Sequence, residues 1–467
     1  IFGMAFSHKD WFILFSLLLL CMVSYSTETL QQLMNHGNYV SILNRSSIYP
    51  FSVPNNMNIT DCDYFYGNNT PYIRRIYEKT EHPYFGNEKT LFSEFIQYNH
   101  SLVSSSCFDS NDMIHFFLRN RESLQVPCVQ DRAFMFCQHH YLFTIDLKTR
   151  RCSSYARQPY RNTRDRTEVT YITQFSFNRF ERFKYHLRRW NGSMSIGILV
   201  QLPEFPSFVK AIEEYAGYPI TFNVYVPIKT QDPSYFIRKN GTKEPYPNTL
   251  YPVNLLRDLA IESIHTTHYM FVDADFYISY TVMDALKMNR NTLQNENNII
   301  LFPIYETILS PEIRKCRYSG EGCIEIWDKL PTTKSALRIG IANNLYRSWR
   351  GRFHQITNYT EWIDLKSTRM YETTIPRESE PYNIMRRSPR NPIYHPLYIE
   401  YGYNKIELFY RIPLYHRFHF FVFPQDFGFD IPHKESLTSK TFVQMRKTHN
   451  QHIMTEMWTT IIDYYEQ

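Results

Sequence analysis

The 467-residue chain lacks the marks of several protein classes at once. No internal repeat runs along it, which argues against solenoids and propellers. No dense basic block is present either: 51 Lys and Arg face 45 Asp and Glu, a net charge of +6 spread along the chain. Nucleic-acid binding is therefore not indicated. The eight cysteines include no C-x-x-C pair, which disfavours zinc ribbons and thioredoxin-like redox sites. What the chain holds in quantity is aromatic side chains, 37 Tyr and 35 Phe, far beyond what disordered or collagenous segments carry. With 43 % hydrophobic residues, about two or three folded units with a sizeable core are expected.

The N-terminus bears on the compartment. Trp11 to Tyr25 is a fifteen-residue apolar run preceded by His8 and Lys9, short of the roughly 20 residues of a typical bilayer span. It is read first as an uncleaved signal anchor, since thin early-secretory membranes suit a short span. A cleaved signal peptide and a buried core helix are the alternatives; no small-x-small cleavage site follows the run cleanly. Beyond it lie seven N-x-S/T sequons, at Asn44, Asn58, Asn68, Asn99, Asn191, Asn240 and Asn358, which fit a glycosylated surface. Seven cysteines also follow, at Cys62, Cys107, Cys128, Cys137, Cys152, Cys316 and Cys323. Disulfides in an oxidising compartment are the expectation, and Cys316 with Cys323 could close a short loop.

Residues 26–165 are rich in Asn, Ser, Tyr and Cys, with few long periodic apolar stretches, and are read as a stem followed by a small cysteine-containing region. The character changes near Glu168. Val169–Gln174 is β-branched and strand-like, and Phe175 to Trp190 carries apolar residues at helical spacing. Ser195–Val200 reads as a strand, Phe208–Tyr215 as a helix and Thr221–Val226 as a strand. Strands alternating with helices predict an α/β domain with a mostly parallel sheet and flanking helices.

The informative block is Tyr251 to Tyr277. Leu255, Leu256, Leu259, Ala260 and Ile264 share one helical face, and Tyr269–Val272 is a short apolar strand running into Asp273-Ala274-Asp275. In open α/β sheets ligands bind beyond the carboxyl ends of strands. Two carboxylates one residue apart can there face one hard cation, Mg²⁺ or Mn²⁺, which can bridge the phosphates of a nucleotide. The three-residue pattern alone is equally a strand-end turn or a solvated acidic pair. Its context points towards a nucleotide-sugar transferase.

Eight segments in order carry a family resemblance: VTYITQFSFNRF (169–180), SIGILV (195–200) after the Trp190-x-Gly192 turn, YPVNLLRDLA (251–260), YMFVDADF (269–276), ILFPIYET (300–307), EPYNIMRR (380–387), YGYNK (401–405) and FFVFPQDFGFDIPHKES (420–436). The C-terminal 300 residues or so resemble glycosyltransferase family 49, the family of LARGE-type and β-1,4-glucuronyltransferase-like domains. The resemblance implies a GT-A-like fold over 166–467, a UDP-sugar donor, Mn²⁺ (or Mg²⁺), and inverting transfer to a glycan hydroxyl, with glucuronate favoured. It places Asp273 and Asp275 on the family's metal-binding D-x-D. Thr173, Gln174 and Arg179 fall where the nucleotide lies, and Asn254 and Arg257 on an N-L-L-R motif. Asn404 and Lys405 fall on G-x-N-K, where Lys405 could hold an anionic donor group. An Arg suits a diphosphate or a uronate because its fork is bidentate and always charged. The plainer alternatives are a helix cap or salt bridge for Asn254 and Arg257, and a solvated turn residue for Lys405.

Two stretches depart from the family pattern. Its H-x-P-H reads here Asp430-Ile431-Pro432-His433, so Asp430 offers an oxygen where the family has a His, and His433 remains a candidate ligand. Its Asp-x-Arg-Phe reads His395-Pro396-Leu397-Tyr398, and a Gly becomes Glu400. Glu400 and His395 are the candidate general bases by position, with a loop role as the alternative for each. The expected layout is a short cytoplasmic tail (1–10), a membrane anchor (11–25), a luminal stem (26–165) and the transferase domain, giving a single-pass type II Golgi protein, or a secreted form if the signal is cleaved. The alternative is a catalytically inactive relative that binds glycan or a partner protein.

Overall fold

The computed structural model of the chain describes residues 140–161, 168–227, 251–349, 355–376, 379–396, 402–412 and 418–434, with shorter pieces at 105–106, 109–120, 129–131, 134–136, 235–237, 243–245, 398, 450–451 and 454. All belong to one unit, Thr60–Gln467. The apolar run at 11–25, Glu400 and five of the sequons lie outside the described residues. Among the described residues, no helix is long and apolar enough to cross a membrane.

The strands in chain order are β1 (Ser105–Ser106), β2 (Val129–Asp131), β3 (Phe134–Phe136), β4 (His140–Asp146), β5 (Arg151–Ser154), β6 (Val169–Ser176), β7 (Met194–Leu199), β8 (Ile220–Pro227), β9 (Tyr235–Ile237), β10 (Lys243–Pro245), β11 (His268–Phe271), β12 (Phe276–Ile278), β13 (Asn298–Leu301), β14 (Ile304–Thr307), β15 (Tyr346–Ser348), β16 (Tyr371–Thr373), β17 (Asn383–Arg386), β18 (His419–Val422) and β19 (Gly428–Asp430). Eleven of them form one sheet in the order β1-β5-β4-β8-β7-β6-β11-β17-β13-β18-β16.

This α/β sheet is mixed, where a mostly parallel one was expected. Strands β8, β7, β6 and β11 run parallel, as do β13 and β18. Strand β17 is antiparallel to both its neighbours, β11 and β13. Strands β4 and β5 are joined by a tight turn and so pair antiparallel, and β4 pairs antiparallel with β8 along its whole length. The sheet therefore draws on residues before 166, the expected start of the domain. The strand order also reverses at one place. The chain steps outward from β6 to β7 to β8, then returns so that β11 lies on the other side of β6. That junction is the topological switch point, where the diverging loops leave a crevice.

Helix Val253–Glu262 connects β8 to β11 and packs on the sheet with every residue buried. Gly197 on β7 permits this approach, because a Cβ there would lie 2.0 Å from the Leu256 carbonyl oxygen. The helix expected from Phe175 begins at Phe180 instead, after a 3-10 turn at Phe177–Arg179. Phe175 still belongs to β6, and its ring stacks on Phe183 at 5.1 Å, so a strand residue packs on the helix it was expected to begin. A second sheet, β12-β19-β14-β15, pairs Phe276 with Asp430 and brings the C-terminal strand beside the acidic turn. The expected Cys316–Cys323 disulfide is present. Cys152 is also disulfide-bonded.

Candidate functional site

Strand β11 ends at Phe271, Val272 donates to the Ile172 carbonyl of β6 at 3.1 Å, and the chain then turns through Asp273-Ala274-Asp275. The turn is held by its backbone. Phe276 N donates to Asp273 O at 3.0 Å and Ile431 N to Asp275 O at 2.7 Å. His186 Nε2 lies 2.9 Å from Ala274 O, and its Nδ1 lies 2.6 Å from the Tyr171 hydroxyl. Burial pushes this imidazole down to about 4, so near neutral pH it is uncharged. Its Nε2–H then donates to the carbonyl while Nδ1 accepts from the hydroxyl.

The two carboxylates diverge. Asp273 points into the protein and both of its oxygens are occupied. Its Oδ1 accepts from Gln174 Nε2 at 3.2 Å and Arg257 Nη2 at 3.1 Å. Its Oδ2 accepts from the Tyr382 hydroxyl and from Lys405 Nζ, each at 2.9 Å. Burial works against its charge, but Lys405 and Arg257 outweigh that and hold the carboxyl well below the usual range.

The residues around it are themselves fixed. Tyr251 donates to Gln174 Oε1. Arg257 Nη1 donates to Asn254 Oδ1 at 2.8 Å and to Asn404 Oδ1 at 2.9 Å, and its guanidinium lies over the rings of Phe271 and Tyr394. Lys405 Nζ lies 4.4 Å from the Tyr382 ring centre and 3.8 Å from Glu380. Asn254 and Arg257, three apart, share a helical face. They act as side-chain anchors of the cluster and not as caps, and Lys405 is a buried ion-pair partner.

Asp275 faces the other way and is about a quarter exposed. Opposite it, His433 Nε2 lies 4.0 Å from Asp275 Oδ2, while His433 Nδ1 lies 2.8 Å from Ile431 O. An Nδ1–H donating to that carbonyl leaves the Nε2 lone pair facing the carboxylate. Burial lowers the affinity of this imidazole for a proton. Asp430 sits behind, paired with Arg317 at 3.2 Å; burial and then the Asp275 charge push its carboxyl upward against the pull of Arg317. Arg182, on the neighbouring helix, is pushed down to about 10 by burial and by Arg179. Trp327 Nε1 donates to Pro432 O at 2.6 Å, so the helix that begins at disulfide-bonded Cys323 braces the segment after β19 that carries His433.

The remaining expected site residues fall in three places. Thr173 is buried on β6, on the face opposite Gln174. Arg179 ends the 3-10 turn, on the Arg182 and His433 side. His395 is buried beyond helix Val253–Glu262, where its carbonyl accepts from Asn254 Nδ2 at 3.0 Å and its ring packs on Tyr398. Burial and then Arg411 push its imidazole down to about 3. Among the described residues, no group of three His, Cys, Asp or Glu side chains converges as a metal cage. Four contributors were not singled out from sequence: Tyr382, Glu380, His186 and Arg182. Tyr382 and Glu380 lie in the quoted EPYNIMRR segment; the other two are polar residues on an otherwise apolar helical pattern.

The acidic turn, with buried cations on one side and an imidazole on the other, lies at the switch point of the sheet, the place where open α/β sheets hold ligands. Comparison with known proteins makes the class particular. Residues 168–462 match the family described as glycosyl-transferase for dystroglycan, and the chain belongs to that family. It is 24 % identical over 284 residues to rat xylosyl- and glucuronyltransferase LARGE2, covering 59 % of this chain and 36 % of that protein. Against mouse LARGE1 the identity is 24 % over 366 residues, covering 76 % and 42 % respectively. The chain thus spans about two-fifths or less of the curated relatives it matches. Among solved structures it matches GalNAc-T7 with UDP, GalNAc and Mn²⁺ at a TM-score of 0.33 and 11 % identity, over 63 % of this chain and 51 % of that one. It matches S. aureus TarS with UDP-GlcNAc at 0.31 and 10 %, over 64 % and 73 %.

Proposed function

We propose that this domain, a GT-A-like unit, transfers a sugar, with glucuronate favoured, from a UDP-sugar to a glycan hydroxyl with inversion. The observation that carries the reading is the divided acidic turn at the switch point: Asp273 locked by Arg257 and Lys405, Asp275 turned towards His433. In the reaction the acceptor oxygen bonds to the anomeric carbon from one face while the bond to the UDP oxygen breaks on the other. UDP leaves, and the acceptor proton passes to a base. Glu400 is the proposed base. His395, buried and neutral, is the weaker proton acceptor, and it positions Asn254 through its carbonyl.

Asp275 and His433, with Oδ2 and Nε2 4.0 Å apart, would hold a divalent cation, Mn²⁺ or Mg²⁺, with solvent or substrate supplying the other ligands. Asp430 lies next to them, and Asp273 supports the turn from behind. When bound, the ion would supply positive charge for the departing diphosphate. Gln174 and Arg179 are proposed to line the nucleotide, with Thr173 packed on the other face of β6 in place of the expected contact, and Arg257 and Lys405 to set the charge behind it. The disulfide and the exposed sequon residues Asn191 and Asn358 support a luminal setting, with residues 11–25 as the proposed Golgi membrane anchor.

The test is Mn²⁺-dependent UDP release from a panel of UDP-sugars, with Asp275→Asn as control. Release from one donor, lost at least about 100-fold in the control, is expected. The second reading is an inactive, glycan-binding relative, favoured by the pairing of Asp430 with Arg317 and the burial of His395. Metal-dependent UDP binding with no turnover on any donor or acceptor would support it, and absence of both binding and release would overturn the transferase reading.

A further inference from the structure

A cleft of about 780 Å³ opens beside β15. Its walls include Arg347, Trp349, Thr357, Asn358, Tyr359 and Thr373. Among the described residues the lining is two aromatic rings, the Arg347 guanidinium, and amide and hydroxyl groups. The Arg347 Nε already donates to Glu306 at 2.7 Å, which blunts its pull on a phosphate. A pyranose matches the lining: its C–H face packs on aromatic rings and its hydroxyls bond to planar amides and hydroxyls.

The position of the cleft narrows which saccharide it takes. The Trp349 ring packs on Phe276 at 5.0 Å, Phe276 on Tyr382 at 4.7 Å, and the Tyr382 hydroxyl donates to Asp273. The Trp349 backbone N also donates to the Ile304 carbonyl of β14 at 2.8 Å, which ties this residue's backbone to the small sheet. The cleft is thus two ring contacts from the acidic turn, on the side of β12 and β15.

We propose that this cleft is an acceptor subsite, holding a sugar unit of the glycan whose hydroxyl is to be glycosylated. The proposal rests on the transferase reading and deepens it by assigning the acceptor side of the site. The sequon Asn358-Tyr359-Thr360 borders the same cleft, so a glycan on Asn358 is the competing source of the same chemistry.

The test uses the full chain with p-nitrophenyl β-xyloside and β-glucuronide, the two sugars in the relatives' name, read by saturation-transfer NMR without donor. Trp349→Ala removes the stacking face. Thr374→Trp, at an exposed position on the rim, fills the cleft without disturbing the core. At least a tenfold loss of glycoside affinity is expected in both, with the affinity for UDP unchanged. Unchanged glycoside binding in both variants would overturn the subsite, even where UDP release shows the transferase reading to be sound. Lost glycoside binding in a chain that never binds UDP would keep the saccharide cleft and sink the transferase reading. Glycoside binding that emerges only when Thr360→Ala removes a glycan from Asn358 would reassign the cleft to the chain's own glycan.

Discussion

Asp273 and Asp275 are separated by one residue, yet they belong to two different kinds of environment. Around Asp273 the side chains of one strand, one helix and two loops are interlocked, and both oxygens are bonded. Asp275 faces the His433 imidazole, 4.0 Å away, and partial solvent, with the Arg182 and Asp430 charges near it. The first region holds geometry and the second is open to a ligand. A site of this kind separates the groups that must not move from those that must exchange partners.

The comparison breaks most severely if Asp273 is removed. Asp273→Ala leaves Arg257 and Lys405 buried without their shared counter-charge, at a cost of about 3–5 kcal/mol, to be read as a lowered Tm and denaturant midpoint. Acidification tests a further buried polar group on the sheet that carries the turn. Burial pushes His268 down to about 4, and its ring nitrogens lie against Thr267 Oγ1 and Leu293 O. Its lowered pKa means that the unfolded chain binds the proton first, so stability is intact above about pH 6.5 and falls as pH drops towards 4, by up to about 3 kcal/mol. Chemical denaturation at pH 7 and pH 4.5 checks it, and a smaller pH dependence in His268→Gln identifies the source.

Gly197→Ala reaches the locked side without touching a charge. Its Cβ meets the Leu256 carbonyl, and the helix bearing Asn254 and Arg257 must shift, at about 1–3 kcal/mol, which a thermal melt measures. The smallest change in stability is expected on the open side. His433→Gln should alter stability by no more than about 0.5 kcal/mol while weakening Mn²⁺ affinity at least about tenfold, read by calorimetric titration. An equal stability loss from His433→Gln and Asp273→Ala would erase the distinction between the two regions.

Much of this was legible beforehand. Alternating strands and helices marked β6, β7, β8 and β11 because hydrophobic periodicity is a local property. Gln174, Asn254, Arg257 and Lys405 were marked by the family resemblance and gather around Asp273, while Asp275, marked with it, turns towards His433. Tyr382 and Glu380 were within a quoted segment but carried no periodic or motif signal of their own. His186 was hidden because a lone imidazole within an amphipathic helix looks the same whether it holds a turn or fills a core. The β17 reversal was also unreadable, since strand direction is set by connections that span more than a hundred residues.

The sequence by itself determined the class of fold, the family, the elements and the residue types gathered at the end of one strand. These follow from composition, local periodicity and motif, which need no knowledge of distant neighbours. Only the tertiary structure decided which carboxylate turns inward, because Lys405 and Tyr382 approach Asp273 from 132 and 109 residues away. It likewise decided that Asp275 faces His433, since β12 and β19 pair across about 150 residues of chain. A side chain's role at a site depends on the charges packed against it in space, and a spacing along the chain does not contain that information.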